Sequence, residues 1–420
     1  MRRLGNARRA GAGLALIVLS LSPAAVRPAG AQGAAAVWEG IAVGERVTVT
    51  LDSGATGWRG TLLAPGWRPA PMSFIEVTVS RDSVTLALPA EGNGAILRGA
   101  LSADHLRLGG LIIAGADTAG PFRLARSGTP AAAELLAQLV RPAAPGPRRE
   151  YHDPDSARLI TSDITLFWDV LSRASAHPDS LETLLMREYL GRGTPGLRDF
   201  IPGRILSAAD LAFQIRRSSG RYEAARAPSL RVAEAEPGIR AAFRALKNLY
   251  ADAVFPDVYF VIGRFNSGGT ASSNGLLIGA EMYDDPAGLP AIVAHELIHF
   301  QQVPSSGPRT LLMQSFREGA PNFVGEMIAG VHINTDAHRY GLAHERELWA
   351  EFKERMSGTS YAGWMYGDPP GERPADLGYF VGYRIAQAYY ARAADKRAAL
   401  RAIIRAMDVD TILAKSGYDP

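Results

Sequence analysis

The run from Ala291 to Phe300 is apolar except at His295, Glu296 and His299, three side chains able to bind a metal ion and to move a proton. They read His-Glu-x-x-His. On a helix, residues four apart lie one above the other on the same face, so His295 and His299 can close on one ion with Glu296 beside it. Neutral imidazoles at that spacing suit zinc. A histidine taken singly is more often a packed or surface residue than a ligand. Here the chain holds only 8 histidines in 420 residues, and the two sit at ligand spacing inside an otherwise apolar segment. Leu289-Pro290 would open the helix with a proline in its first turn, where no backbone donor is lost. Ile292, Val293, Leu297, Ile298 and Phe300 supply its buried remainder.

A catalytic zinc takes a third protein ligand and keeps one position for water. The sequence offers Glu318, within Phe316 to Phe323 and separated from His299 by 18 residues. This arrangement resembles the gluzincin metallopeptidases, in particular the aminopeptidase N branch, in which an Asn-Glu-Gly-x-Ala segment supplies the third ligand at that distance. Arg317 stands where that asparagine would be, and Pro321 where small residues are usual. More closely, the stretch is similar to a poorly characterised group of bacterial predicted zinc-dependent proteases. The resemblance covers roughly the 130 residues from Tyr259 onward.

Positioning these groups requires particular elements. A proline deep in a helix removes a hydrogen bond and clashes with the preceding turn, so Pro321 predicts a second helix beginning near Arg317, with Glu318 in its first turn. Asn322 would then lie one turn further along the same face, a candidate to hold one histidine by its second ring nitrogen. Glu326 is the rival third ligand. Val258 to Ile262 and Gly275 to Glu281 read as buried strands, separated by a Gly/Ser-rich loop that lacks the lysine of a phosphate loop. By resemblance to gluzincins, Leu276, Leu277, Ile278, Gly279 and Glu281 form the cleft-edge strand on which an extended substrate pairs, with Glu281 and Arg384 as further substrate contacts. The Gly-x-Met-Glu-Asn motif that holds a free α-amine in aminopeptidases is absent, which argues against exopeptidase activity, although Glu281 could still meet a substrate cation. Tyr379 and Tyr383 lie four apart, each after a glycine, on one predicted helix. The resemblance implies an oxyanion donor in this region, with Tyr383 the first candidate and Tyr379 the second; a packing stripe is the plain alternative. His338 and His344 read as structural.

The remainder frames this centre. The first residues combine Arg2, Arg3, Arg8 and Arg9 with a short apolar run ended by Pro23, then Ala29-Gly30-Ala31, the pattern of a secretory signal peptide over 1–31. That leader holds five arginines and no acid, which leaves 40 basic against 42 acidic side chains and removes a general case for nucleic acid. No cysteine is present, so disulfides and a cysteine nucleophile are excluded. No later segment has the length of a membrane span. The expected setting is periplasmic or secreted.

Residues 37–127 show short alternating runs between Gly, Asp and Pro turn signals, an antiparallel meander closing into a small barrel or sandwich. It resembles lipocalin-like modules ahead of secreted hydrolases. Trp38, Trp58 and Trp67 there read as core rather than ligand surface. A proline-rich linker is expected at 128–150, and a largely helical domain at 151–420, with helices at 156–172, 180–190, 207–217, 236–252 and 332–356. The whole is an α+β chain, read as a zinc peptidase holding one ion and acting on peptide or protein substrates. A zinc hydrolase of another substrate and a silent secreted binder are the alternatives.

Overall fold

The structure, a computed structural model, describes residues 36–55, 57–115, 117–139, 148–304, 309–366 and 373–420. The expected signal peptide and residues 140–147 of the expected linker lie outside the described residues. No helix among the described residues is long and apolar enough to cross a membrane.

The N-terminal region is one curled antiparallel sheet. Its strands are β1 (Ala36–Ala42), β2 (Glu45–Gly54), β3 (Gly57–Ala64), β4 (Arg68–Ser73), β5 (Glu76–Val79), β6 (Ser83–Ala87), β7 (Ile96–Leu101), β8 (Arg107–Ala114) and β9 (Asp117–Arg126). They run in the order β4-β3-β2-β1-β9-β8-β7-β6-β5. The alternation along the strands sends Val47, Val49, Leu51, Leu62, Leu86, Leu97, Phe122 and Leu124 to one interior. Trp38 joins that core, but Trp58 and Trp67 are exposed, so the core reading fails for those two. Strand β4 has two prolines in six residues, which hide it from a pattern search and confine it to a sheet edge.

The remaining residues form a helical domain around a small mixed sheet. Its helices are α2 (Ser162–Ala176), α3 (Leu181–Leu184), α4 (Pro195–Phe200), α5 (Ala208–Arg217), α6 (Ser219–Leu230), α7 (Glu236–Leu249), α8 (Leu289–Gln301), α9 (Leu311–Ala329), α10 (Thr335–Ala343), α11 (Glu345–Arg355), α12 (Leu377–Arg392), α13 (Lys396–Arg405) and α14 (Val409–Ser416), after a short α1 (Pro130–Leu136) that follows the sheet. Helix α2 begins at Ser162 rather than Ser156, whose hydroxyl instead bonds Asp153 in a turn. The charged stretch 332–356 is two helices, broken at His344.

The small sheet has the order β10 (Leu159–Ile160), β11 (Val258–Val261), β13 (Leu276–Gly279), β12 (Gly269–Ala271). Strand β13 pairs in parallel with β11 on one side and antiparallel with β12 on the other. Leu276, Leu277, Ile278 and Gly279 are therefore buried in the sheet interior and offer no free edge, contrary to expectation. The edge belongs to β12, drawn from the Gly/Ser-rich loop, where no apolar pattern marks a strand.

Helix α8 is buried on nearly every face, which explains why its sequence is apolar except where chemistry intervenes. It packs between α7, where Pro290 seats against Gly238, and α9, where Gly325 lies on the backbone of His295. Helix α9 in turn crosses α12 with Gly319 and Gly382 meeting backbone to backbone. Thr310 caps α9 and Gly330 ends it in the left-handed region (φ 76°).

Candidate metal centre

Helix α8 presents His295 and His299 one turn apart, and α9 crosses it so that Glu318 reaches both. The His295 and His299 Nε2 atoms are 3.0 Å apart. Glu318 Oε2 is 3.1 Å from His299 Nε2 and 3.8 Å from His295 Nε2. These three ligand atoms lie within 4.8 Å of one another, the single such His/Asp/Glu group among the described residues. Legs of about 2.1 Å at tetrahedral angles place ligand atoms about 3.4 Å apart, so the spacing fits zinc.

The hydrogen bonds behind these atoms fit it too. Gln302 Nε2 donates to the Arg317 carbonyl at 2.7 Å, so its Oε1, 3.1 Å from His299 Nδ1, is an acceptor. His299 thus carries its neutral-form proton on Nδ1 and turns a bare Nε2 toward the centre, the form a metal takes. The other oxygen of Glu318, Oε1, accepts from Tyr366 Oη at 2.7 Å and Gln314 Nε2 at 3.2 Å, leaving Oε2 for the centre.

Gln302 also resolves the proline. Helix α9 begins at Leu311, and Pro321 lies inside it, not near its start. Proline cannot donate to the carbonyl four residues back, which is that of Arg317. The Gln302 amide fills the vacancy. One side chain therefore satisfies the carbonyl that Pro321 leaves open and orients His299. Asn322, expected in that orienting role, bonds neither histidine; its amide is buried without a partner, as is His295 Nδ1.

Electrostatics separate the carboxylates. Burial pushes the Glu318 carboxyl up, but the charges and hydrogen bonds of His299 and His295 outweigh it and hold it well below the usual range. Burial opposes charge on His299, yet the Glu318 carboxylate beside it brings the imidazole up to about 9. Burial raises Glu296, which the two histidines only partly offset, so a more basic carboxylate stands next to the ligands. Gly269 of β12 lies against Glu296: a Cβ there would come within 2.8 Å of Glu296 Oε1.

Of the two expected tyrosines, Tyr383 turns away and donates to Glu326 at 2.9 Å, among His332, His338 and Phe323. Glu326 is thereby occupied and stands outside the ligand group. Tyr379 has its ring nearly parallel to that of His295, centroids 6.4 Å apart, with its hydroxyl facing Glu318 and Tyr366. Burial raises the pKa of Tyr379, and desolvation of the Tyr366 hydroxyl, together with the Glu318 carboxylate it faces, raises that of Tyr366, keeping both as donors at neutral pH. Tyr366 is more than half exposed and adopts φ 57°, a conformation rare for a tyrosine. Only this backbone and the crossing of α9 mark it, and neither is written in local sequence.

The remaining expected contacts lie elsewhere. Glu281 is buried under the loop before β12, where it accepts from the Phe265 N–H at 3.2 Å. Arg384 is paired with Glu345 (2.7 Å) and donates to Gln387.

Residues 263–410 match the model of a family described as Predicted Zn-dependent protease (DUF2268), in agreement with the resemblance drawn from the motif. The match takes in β12, α8, α9 and α12, and with them the two histidines, Glu296, Glu318 and the three tyrosines. No curated protein and no solved structure matches the chain.

Proposed function

We propose that the chain is a zinc-dependent peptidase, holding one ion through His295, His299 and Glu318 and acting outside the cytoplasm. The observation that carries this is the convergence of the three ligand atoms with Glu296 beside them and an open strand edge at Glu296. When bound, zinc supplies a Lewis acid that makes water deprotonable near neutral pH and polarises a carbonyl.

The chain's own residues do the rest. Glu296 accepts the water's proton at Oε1 and passes it to the leaving amine, a role its raised basicity serves. Strand β12 offers backbone N–H and C=O groups on the side not used by β13, so an extended peptide can pair there with its scissile bond level with Gly269. The bare α-carbon of Gly269 lets that peptide approach the general base. Tyr379, with Tyr366 next to it, donates to the carbonyl oxygen as charge develops, a contact typically worth about 3 kcal/mol in the transition state. Gln302 keeps His299 in its ligand tautomer.

The intact base and the open edge favour a peptidase over a silent binder. Chelation followed by metal restoration tests the reading: wild type should lose peptide hydrolysis and regain it with one equivalent of zinc. Glu318→Ala should bind zinc at least tenfold more weakly, seen by competition with a chelating dye. Full zinc affinity in Glu318→Ala would remove Glu318 from the ligand set.

A further inference from the structure

Beside the edge strand lies a cation that none of the chemistry above uses. Arg204 sits in the segment Ile201–Ile205, whose backbone leaves helical geometry at Pro202 (ψ 126°) and Gly203 (φ 74°). The next residue, Leu206, is held at φ 74° although it has a side chain. The loop before β12 fixes this segment. Arg204 Nε donates to Ser267 Oγ at 3.0 Å, and its carbonyl accepts from Asn266 Nδ2 at 3.0 Å. Ser267 Oγ donates onward to the carbonyl of Gly269, the residue against Glu296. The guanidinium is half-buried and no carboxylate among the described residues lies within ion-pair distance of it. Its charge reaches the Glu296 carboxylate.

We infer that Arg204 binds a carboxylate of the substrate on the leaving-group side of the scissile bond. The inference rests on the peptidase reading for its frame. A peptide pairing antiparallel with β12, the commoner mode, has its scissile bond at Gly269 and runs toward Ser267 in its C-terminal direction. Residues advance about 3.4 Å each along a strand, so the first or second leaving-side residue lies beside Ser267 and Arg204. Guanidinium nitrogens not engaged by Ser267 are free to take both oxygens of a carboxylate. That carboxylate is either the chain terminus, making the enzyme an exopeptidase that releases one or two C-terminal residues, or an Asp or Glu side chain, making it an acid-selective endopeptidase.

The test uses the zinc-loaded full chain and matched peptide pairs. One pair differs by a free or amidated C-terminus two residues beyond the cut. Another carries Asp or Asn at that position within a longer, amidated peptide. Wild type should show at least tenfold higher kcat/KM for the carboxylate member of one pair, and which pair responds identifies the source. In Arg204→Gln the ratio should fall to within about twofold; Arg204→Lys should restore part of it; Arg204→Glu should prefer Lys at the same position. Because each figure is a ratio within one variant, an effect of Arg204 on the basicity of Glu296 cancels. Equal discrimination in wild type and Arg204→Gln, or none in wild type, overturns the subsite. Affinities of the same pairs for Glu296→Gln, by calorimetry, separate the two levels of the argument. Carboxylate preference lost with Arg204 in the absence of any cleavage sinks the peptidase and keeps the subsite, whereas cleavage without preference does the reverse.

Discussion

Glu281 shows how a single residue's setting, not its type, decides its part. As an acid at the end of a strand near the metal helix, it reads from sequence as a substrate contact. Folded, it lies under the loop before β12 with Oε2 unpartnered, and burial brings its carboxyl from the usual 4.5 up to about 7. Between those values the folded chain holds a proton that the unfolded chain has lost, so raising the pH favours unfolding. Glu281→Gln removes that dependence. Its stability relative to wild type should be flat below about pH 4, rise between pH 4.5 and 7 by up to about 3 kcal/mol, and level off above. Urea titrations across that range measure it, and a pH-independent difference would mean that Glu281 titrates normally. What was legible at this scale were the groups whose relation is local. His295, Glu296 and His299 are fixed by one helix turn, and Glu318 by motif spacing. Gln302, Gly269 and Tyr366 are placed only by the crossing of separate elements, so nothing in their neighbourhood announces them.

Among the elements, α9 departs most from expectation, and the reason is physical. A proline inside a helix is costly when the carbonyl four residues back stays unpaired. Here the end of α8 supplies a substitute donor from Gln302. The rule that placed the helix start near Arg317 assumed no donor from outside the helix. The compensation predicts coupling. Gln302→Leu should cost about 1–3 kcal/mol in stability by stranding the Arg317 carbonyl. In a Pro321→Ala background the backbone donates instead, and the cost should fall by at least half. Thermal unfolding of the four-member cycle measures this, and additive costs would rule the compensation out. Strand β12 escaped notice for a related reason: an edge strand of Gly, Thr and Ala carries no apolar alternation, and only its pairing with β13 defines it.

Across the whole molecule, the alternating pattern of the N-terminal sheet and the helical periods after it were readable, because each reports a local burial rhythm. The contact between the two was not. Arg123 on β9 forms a bidentate ion pair with Glu182, and the β1–β2 turn, with Val43 and Gly44 at φ 49° and 72°, rests on Leu206, two residues after Arg204. A Cβ at Gly44 would stand 2.6 Å from that of Leu206, whereas Gly94, at φ 58°, faces open space. Gly44→Ala should therefore cost more than Gly94→Ala, which carries only the backbone penalty of about 1 kcal/mol. Equal shifts in Tm would mean that the turn bears on nothing. The sheet thus braces the segment that bonds the loop before β12.

The central claim is that Glu296 moves the proton in a zinc-dependent cleavage of peptides. Its most direct test is hydrolysis of a mixed peptide library by wild type and by Glu296→Gln, each loaded with one equivalent of zinc. Cleavage by wild type and a rate at least a hundredfold lower in Glu296→Gln is the predicted result. Equal cleavage by both proteins, or none by either, would contradict it.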